Sequence, residues 1–179
     1  VAKITTLEME IAVAQYFNPR VNLAVPNVSW GLNLYEIDLL VLTKNNYAYE
    51  VELKISRADL KKDLQKRHGH RSYDPDNPRK DGKISRLYFA IPDYLQCSAD
   101  LIPGHAGILV VGNELSDTTV QCVRNPKINH SYQWSDAQRL ALLRLGAMRI
   151  WTLKKQLWRA RINGGMEKKQ PYSPLGEKG

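Results

Sequence analysis

The chain has 179 residues, enough for one domain with a single sizeable core. At 43% hydrophobic and 25% charged residues it reads as an ordinary globular protein rather than a disordered or fibrous one. No apolar run approaches the roughly 18–20 residues of a membrane helix, and no charged-then-apolar leader opens the chain. The expectation is therefore a cytoplasmic protein with no membrane partner. The net charge of +8, from 26 Lys and Arg against 18 Asp and Glu, favours a polyanionic partner.

Residues 5–17 predict a helix, with Leu7, Ile11, Ala14 and Phe17 at helical spacing. Thr5 and Glu8 fit a capping box, and Asn18-Pro19 stops the helix. Residues 21–28 read as a first strand. Residues 35–43 and 47–54 read as two more, joined by Lys44-Asn45-Asn46 into an antiparallel hairpin. A helix over 57–67 follows, capped by Ser56 and Asp59, with Leu60 and Leu64 as its apolar pair. Residues 68–83 form a long polar loop. Strands are expected at 87–91, 108–111 and 118–123. Ser135 and Gln138 cap a long last helix whose apolar stripe runs through Leu140, Leu143, Ala147, Ile150, Trp151, Leu157 and Trp158. From residue 163 the chain turns Gly-, Lys- and Pro-rich and reads as a disordered basic tail, which leaves residues 1–162 as the domain. Cys97 and Cys122 lack metal-ligand spacing, so neither a zinc site nor a disulfide is expected.

Seven acidic residues precede position 60: Glu8, Glu10, Glu36, Asp38, Glu50, Glu52 and Asp59. Strand periodicity sets Glu52 and Lys54 on one face of the third strand. Asp38 lies on the second strand, and whether it shares that face depends on a register the sequence does not reveal. Carboxylates and an ammonium on neighbouring apolar strands are costly to gather unless they hold something charged. Phosphodiester hydrolysis needs an activated water and neutralisation of developing charge, and a divalent metal on carboxylates supplies both. Asp38 and Glu52 form a natural Mg²⁺ pair, and Lys54 can orient water and neutralise phosphate. The bland alternatives are a surface Glu52–Lys54 pair and a solvated Asp38. Glu36 and Glu50 read as supporting or solvated acids.

Helix, strand with Asp38, strand ending Glu52-Leu53-Lys54, helix: over residues 5–112 this order resembles the PD-(D/E)xK nuclease superfamily. The run Glu50-Val51-Glu52-Leu53-Lys54-Ile55-Ser56 with Asp59 and Asp63, together with the stretches at 87–92 and 106–111, resembles the MmcB-like DNA repair family within it. Ile37 stands where proline often precedes the aspartate. The resemblance implies an α/β fold with a restriction-endonuclease-like core (αβββαβ), a mixed sheet flanked by helices, and here a long C-terminal helix. It implies Mg²⁺-dependent cleavage of DNA, with Mn²⁺ as substitute, in DNA repair, restriction or phage DNA processing. Asp38 and Glu52 would hold the metal, with the Leu53 carbonyl as a further ligand, and Lys54 would position the attacking water. Members often add a glutamate from the first helix. Glu8 and Glu10 are both candidates, and Glu10 is favoured because Glu8 has a capping role. Many members pair, which makes a homodimer a further expectation.

The basic segment after the site offers Lys61, Lys62, Lys66, Arg67, His68, His70 and Arg71 to DNA phosphates, or else forms a solvated helix face and loop. The last helix is expected to pack on the core with its arginines and lysines outward. Two rivals to a nuclease remain: a non-catalytic DNA-binding protein on a nuclease-like fold, and an interaction protein with an acidic partner. On the nuclease reading, Lys54→Ala abolishes cleavage and leaves folding largely intact.

Overall fold

The computed structural model describes residues 3–28, 32, 34–64, 82–114, 117–129 and 132–164. The elements run α1 (Thr6–Tyr16), β1 (Leu23–Val28), β2 (Ile37–Leu42), β3 (Ala48–Leu53), α2 (Arg57–Leu64), β4 (Ile84–Pro92), a 3₁₀ segment (Asp93–Leu101), β5 (Gly107–Glu114), β6 (Asp117–Arg124) and α3 (Asp136–Gly164). Strands β1 to β6 form one six-stranded sheet in sequence order. β3–β4 and β4–β5 pair in parallel, and the other three pairs are antiparallel. Each parallel step needs a crossover. The segment holding α2 supplies the first, and the 3₁₀ segment, which the sequence reading did not anticipate, supplies the second.

Local chemistry explains the turns. Thr5 caps α1, and Glu8 returns the bond to the Thr5 amide at 2.7 Å. Asn18 and Asn46 take φ of 50° and 63°, the left-handed region that Asn tolerates best after Gly. Asn46 thereby closes the β2–β3 turn, with its amide 2.9 Å from the Thr43 carbonyl.

The sheet is covered on both faces, so its central strands are nearly continuous apolar runs. One face packs against Met9, Ala12, Val13 and Phe17 of α1. The other gathers Leu60 of α2, Leu95 of the 3₁₀ segment, Trp134, and Leu142 and Leu145 of α3. The Trp134 indole N–H donates to the Lys83 carbonyl at 2.9 Å, and the Lys83 ammonium reaches the Leu32 carbonyl at 2.8 Å. The chain divides into two compact units, Val1–Gly146 and Ala147–Gly179, and the boundary falls within α3.

The long helix buries a different face from the one expected. Leu142 and Leu145 are inside, while Leu140, Leu143, Ile150, Trp151, Leu157 and Trp158 are all exposed. The helix is drawn against β1 through Gly146, where an added Cβ would sit 3.3 Å from Val25. That close approach selects the row containing positions 142 and 145. Positions 138 and 149 of the same row are Gln and Arg, so the buried stripe is too short to dominate the periodicity. α3 continues to Gly164, two residues into the expected tail. The remaining tail residues, like residues 68–81 of the loop expected over 68–83, lie outside the described residues.

Candidate metal and phosphate site

The open question of register is answered by the β2–β3 ladder. Its pairs run Leu42↔Ala48 to Leu39↔Val51, all summing to 90. The ladder ends there, so Asp38 and Glu52 each lie one residue beyond its last pair. Glu36, which precedes β2, is exposed.

Asp38 also occupies a break in strand alternation. Asn27, between the pairs Pro26↔Leu39 and Val28↔Ile37, has φ of 52°. Val25 and Val28, three residues apart, then face the same core cluster, as do Ile37 and Leu40. A regular strand would turn residues at that spacing to opposite faces. Asp38 lies at this reset, where its carboxylate can meet groups from either side of the sheet.

Those groups come from the end of β3 and from α1. The Leu53 amide donates to Asp38 Oδ2 at 2.9 Å. The Lys54 ammonium lies 3.8 Å from the same oxygen and closes on Glu52 in a direct ion pair. From α1, Glu10 is half-buried, and its carboxyl is pushed above the usual range first by burial and then by the negative charge of Asp38. Glu8, one turn boundary away, is exposed and spent on its cap, which holds its carboxyl below the usual range through the Thr5 backbone and side-chain bonds. Thus α1 brings Glu10, not Glu8, to Asp38.

Burial is uneven across the site. Glu52 and Lys54 are 2% and 6% exposed, whereas the Asp38 side chain is 38% exposed. The site therefore has a buried floor and one open carboxylate. Glu50, on the same face of β3, is fully buried and accepts a bond from the Tyr35 hydroxyl at 2.8 Å. Tyr94 of the 3₁₀ segment donates to the Ile55 carbonyl at 3.1 Å, just past the end of β3. The sequence signal for Glu50 was available: it shares parity with Glu52 and Lys54 in an otherwise apolar strand. Nothing local pointed to Tyr94.

Leu53 meets Asp38 through its amide rather than its carbonyl. Asp59 bonds Ser56 in both directions, at 2.8 and 3.1 Å, and acts as a helix cap. Lys61 and Lys62 are exposed on α2. Lys66, Arg67, His68, His70 and Arg71 lie outside the described residues, as does the side chain of Asp63. Both cysteines are free.

The donor chemistry would suit a hard divalent cation: oxygen ligands, two carboxylates that share the Lys54 ammonium, and a third whose carboxyl is raised by burial and by like charge. Among the described residues, no group of three or more His, Cys, Asp or Glu is placed to hold a metal ion. A cation here would rest on one or two carboxylates and its own waters, the habit of Mg²⁺. Among the described residues, no helix is long and apolar enough to cross a membrane.

Neither a family model nor a curated protein matches the chain. The chain is similar in structure to the SPO1766 protein of unknown function from Silicibacter pomeroyi, with a TM-score of 0.55 and 17% identity over 94% of this chain and 99% of that one. At that identity the likeness speaks for the fold alone: a six-stranded mixed sheet flanked by helices, with a long C-terminal helix.

Proposed function

We propose that the chain is a Mg²⁺-dependent DNA nuclease of the PD-(D/E)xK type, on a restriction-endonuclease-like core and akin to the MmcB-like DNA repair family. The observation that carries this reading is the Lys54 ammonium, which lies 3.8 Å from Asp38 and is paired to Glu52, and so joins the two carboxylates just beyond the end of the β2–β3 ladder. The net charge of +8 supports a polyanionic substrate, and exposed Lys61 and Lys62 would meet phosphates beside the site.

Asp38 and Glu52 would hold the metal, with Glu10 as the nearby third carboxylate. Bound there, Mg²⁺ supplies Lewis-acid polarisation of phosphate and an activated water. Asp38, the open carboxylate, faces solvent and is the group a cation meets first. Lys54 would place its ammonium within hydrogen-bond reach of the attacking water and a phosphate oxygen. The buried floor keeps these charges in a low-dielectric setting that strengthens each contact.

The test is cleavage of plasmid DNA with Mg²⁺ and with chelator, comparing the native chain with Lys54→Gln, which keeps a donor for Glu52 but loses the ammonium. The expected loss is on the order of 100-fold or more. Undiminished metal-dependent cleavage by the variant, purified free of contaminating nuclease, contradicts the reading. A second reading draws on the closed Glu52–Lys54 pair, which neutralises itself without metal: a non-catalytic DNA-binding protein on the same fold. It requires DNA binding that falls with salt yet ignores both Mg²⁺ and Asp38→Asn.

A further inference from the structure

Asp38 lies one step beyond Leu39↔Val51, the last registered pair of the β2–β3 ladder. Strand ends of this kind open at low cost unless something else holds them. A metal-binding carboxylate there needs external support, because ligand spacing must be held to a fraction of an ångström.

On the β1 side the Val28↔Ile37 pair holds β2 beyond Asp38, and on the β3 side, where the ladder has ended, two links hold it. On one side, the Leu53 amide holds Asp38 Oδ2 at 2.9 Å. On the other, three residues upstream, the Tyr35 hydroxyl donates to Glu50 Oε2 at 2.8 Å. Glu50 is the anchor. It is 0% exposed and lies between Leu40 of β2 and Leu87 of β4, where the ladder is closed on both sides. Tyr35 packs on the core cluster beneath that face, so its ring is held as well as its hydroxyl. Glu50, Glu52 and Lys54 alternate onto one face of β3. The chain entering Asp38 is thereby tied to the same strand face that carries the other two site residues.

We propose that Tyr35 and Glu50 form a positioning pair, which holds the Asp38 end of β2 against β3 and sets the separation of the two carboxylates that would take the divalent cation. This rests on the metal-dependent reading above. Neither residue touches the cation or the substrate. Their effect reaches the site through the backbone of residues 35–38.

The experiment measures Mn²⁺ binding to the full chain, without DNA, from the electron paramagnetic resonance of the free ion. Tyr35→Phe removes one oxygen atom and leaves the packed ring. It is expected to raise the Mn²⁺ Kd by about 10- to 100-fold, the range for outer-sphere partners of metal ligands. Its melting temperature is expected to fall by only about 2–4 °C, as the loss of one hydrogen bond predicts for a chain of this size. Glu50→Gln retains an acceptor oxygen for the hydroxyl and is expected to weaken Mn²⁺ binding far less than Tyr35→Phe. Should Glu50→Gln fail to fold, Tyr35→Phe decides alone. Asp38→Asn separates the failures. If Asp38→Asn weakens Mn²⁺ binding and Tyr35→Phe does not, the positioning role is overturned while the metal reading stands. If the native chain binds no Mn²⁺, or Asp38→Asn binds it equally well, both fall together.

Discussion

The end of β3 and the C-terminal half of α3 depart from the usual partition of residues in opposite directions. At the end of β3, three ionisable side chains, Glu50, Glu52 and Lys54, are 0%, 2% and 6% exposed. Along α3 beyond Gly146, large apolar side chains are exposed, with Trp151 at 68% and Trp158 at 61%. Buried charge raises the free energy of the folded chain unless it is paired, and exposed apolar surface contributes nothing to it. The first region is thus under strain that neighbouring groups must relieve, and it responds strongly to any single change. The second is nearly silent for the stability of the chain.

That contrast can be broken most directly at Lys54. Removing one partner of a buried ion pair leaves the other uncompensated, so Lys54→Ala is expected to cost about 3–5 kcal/mol by urea denaturation. This differs from the sequence-based expectation that Lys54→Ala leaves folding largely intact, and the denaturation measurement decides between them. Replacing both members, Glu52→Met with Lys54→Leu, is expected to be neutral or to stabilise by about 1–4 kcal/mol while eliminating cleavage. A double variant as unstable as the single one would show that the pair is structural rather than a cost borne for chemistry.

Within α3 the two halves offer an internal control. Leu142→Ala removes a fully buried side chain and is expected to destabilise by about 2–5 kcal/mol. Leu157→Ala, at an exposed position, is expected to stay within about 0.5 kcal/mol. Equal losses at the two positions would mean that the exposed face is covered in solution.

The smallest effect is a pH dependence at Glu10. Its carboxyl is raised by burial and by Asp38, so the folded chain holds the proton more tightly than the unfolded chain. The associated stability is present below the ordinary carboxylate range and is lost as pH rises through the raised value. Glu10→Gln removes that loss. Its melting temperature, measured across mildly acidic to neutral pH, should sit slightly above that of the native chain at neutral pH and converge with it in acid. The reverse order would remove Glu10 from the neighbourhood of Asp38.

The sequence carried what local chemistry decides. The Thr5–Glu8 box, the Ser56–Asp59 cap and the Asn46 turn are each set within four residues, and all three are found. Strand identities were legible because β-branched and aliphatic runs alternate with turn residues. The β2–β3 register was not legible, since it depends on which pairs of a long apolar ladder come to face each other. The reset at Asn27 and Asp38 was hidden for a related reason: it exists only when two strands pair. The sequence leaves Glu50 open as a supporting or solvated acid; the fold buries it and gives it a bond from the Tyr35 hydroxyl across fifteen residues of chain. The face of α3 was misread because its apolar residues outnumber those its neighbours can cover, and Gly146 rather than periodicity selects the buried row.

The central claim is that charge is buried at the end of β3 in order to take a divalent cation. A crystal of the full chain grown with Mn²⁺ tests it most directly, through anomalous density. The expected result is a peak between Asp38 and Glu52, with the Lys54 ammonium drawn away from Glu52. No peak there, with Lys54 still closed on Glu52, would contradict it.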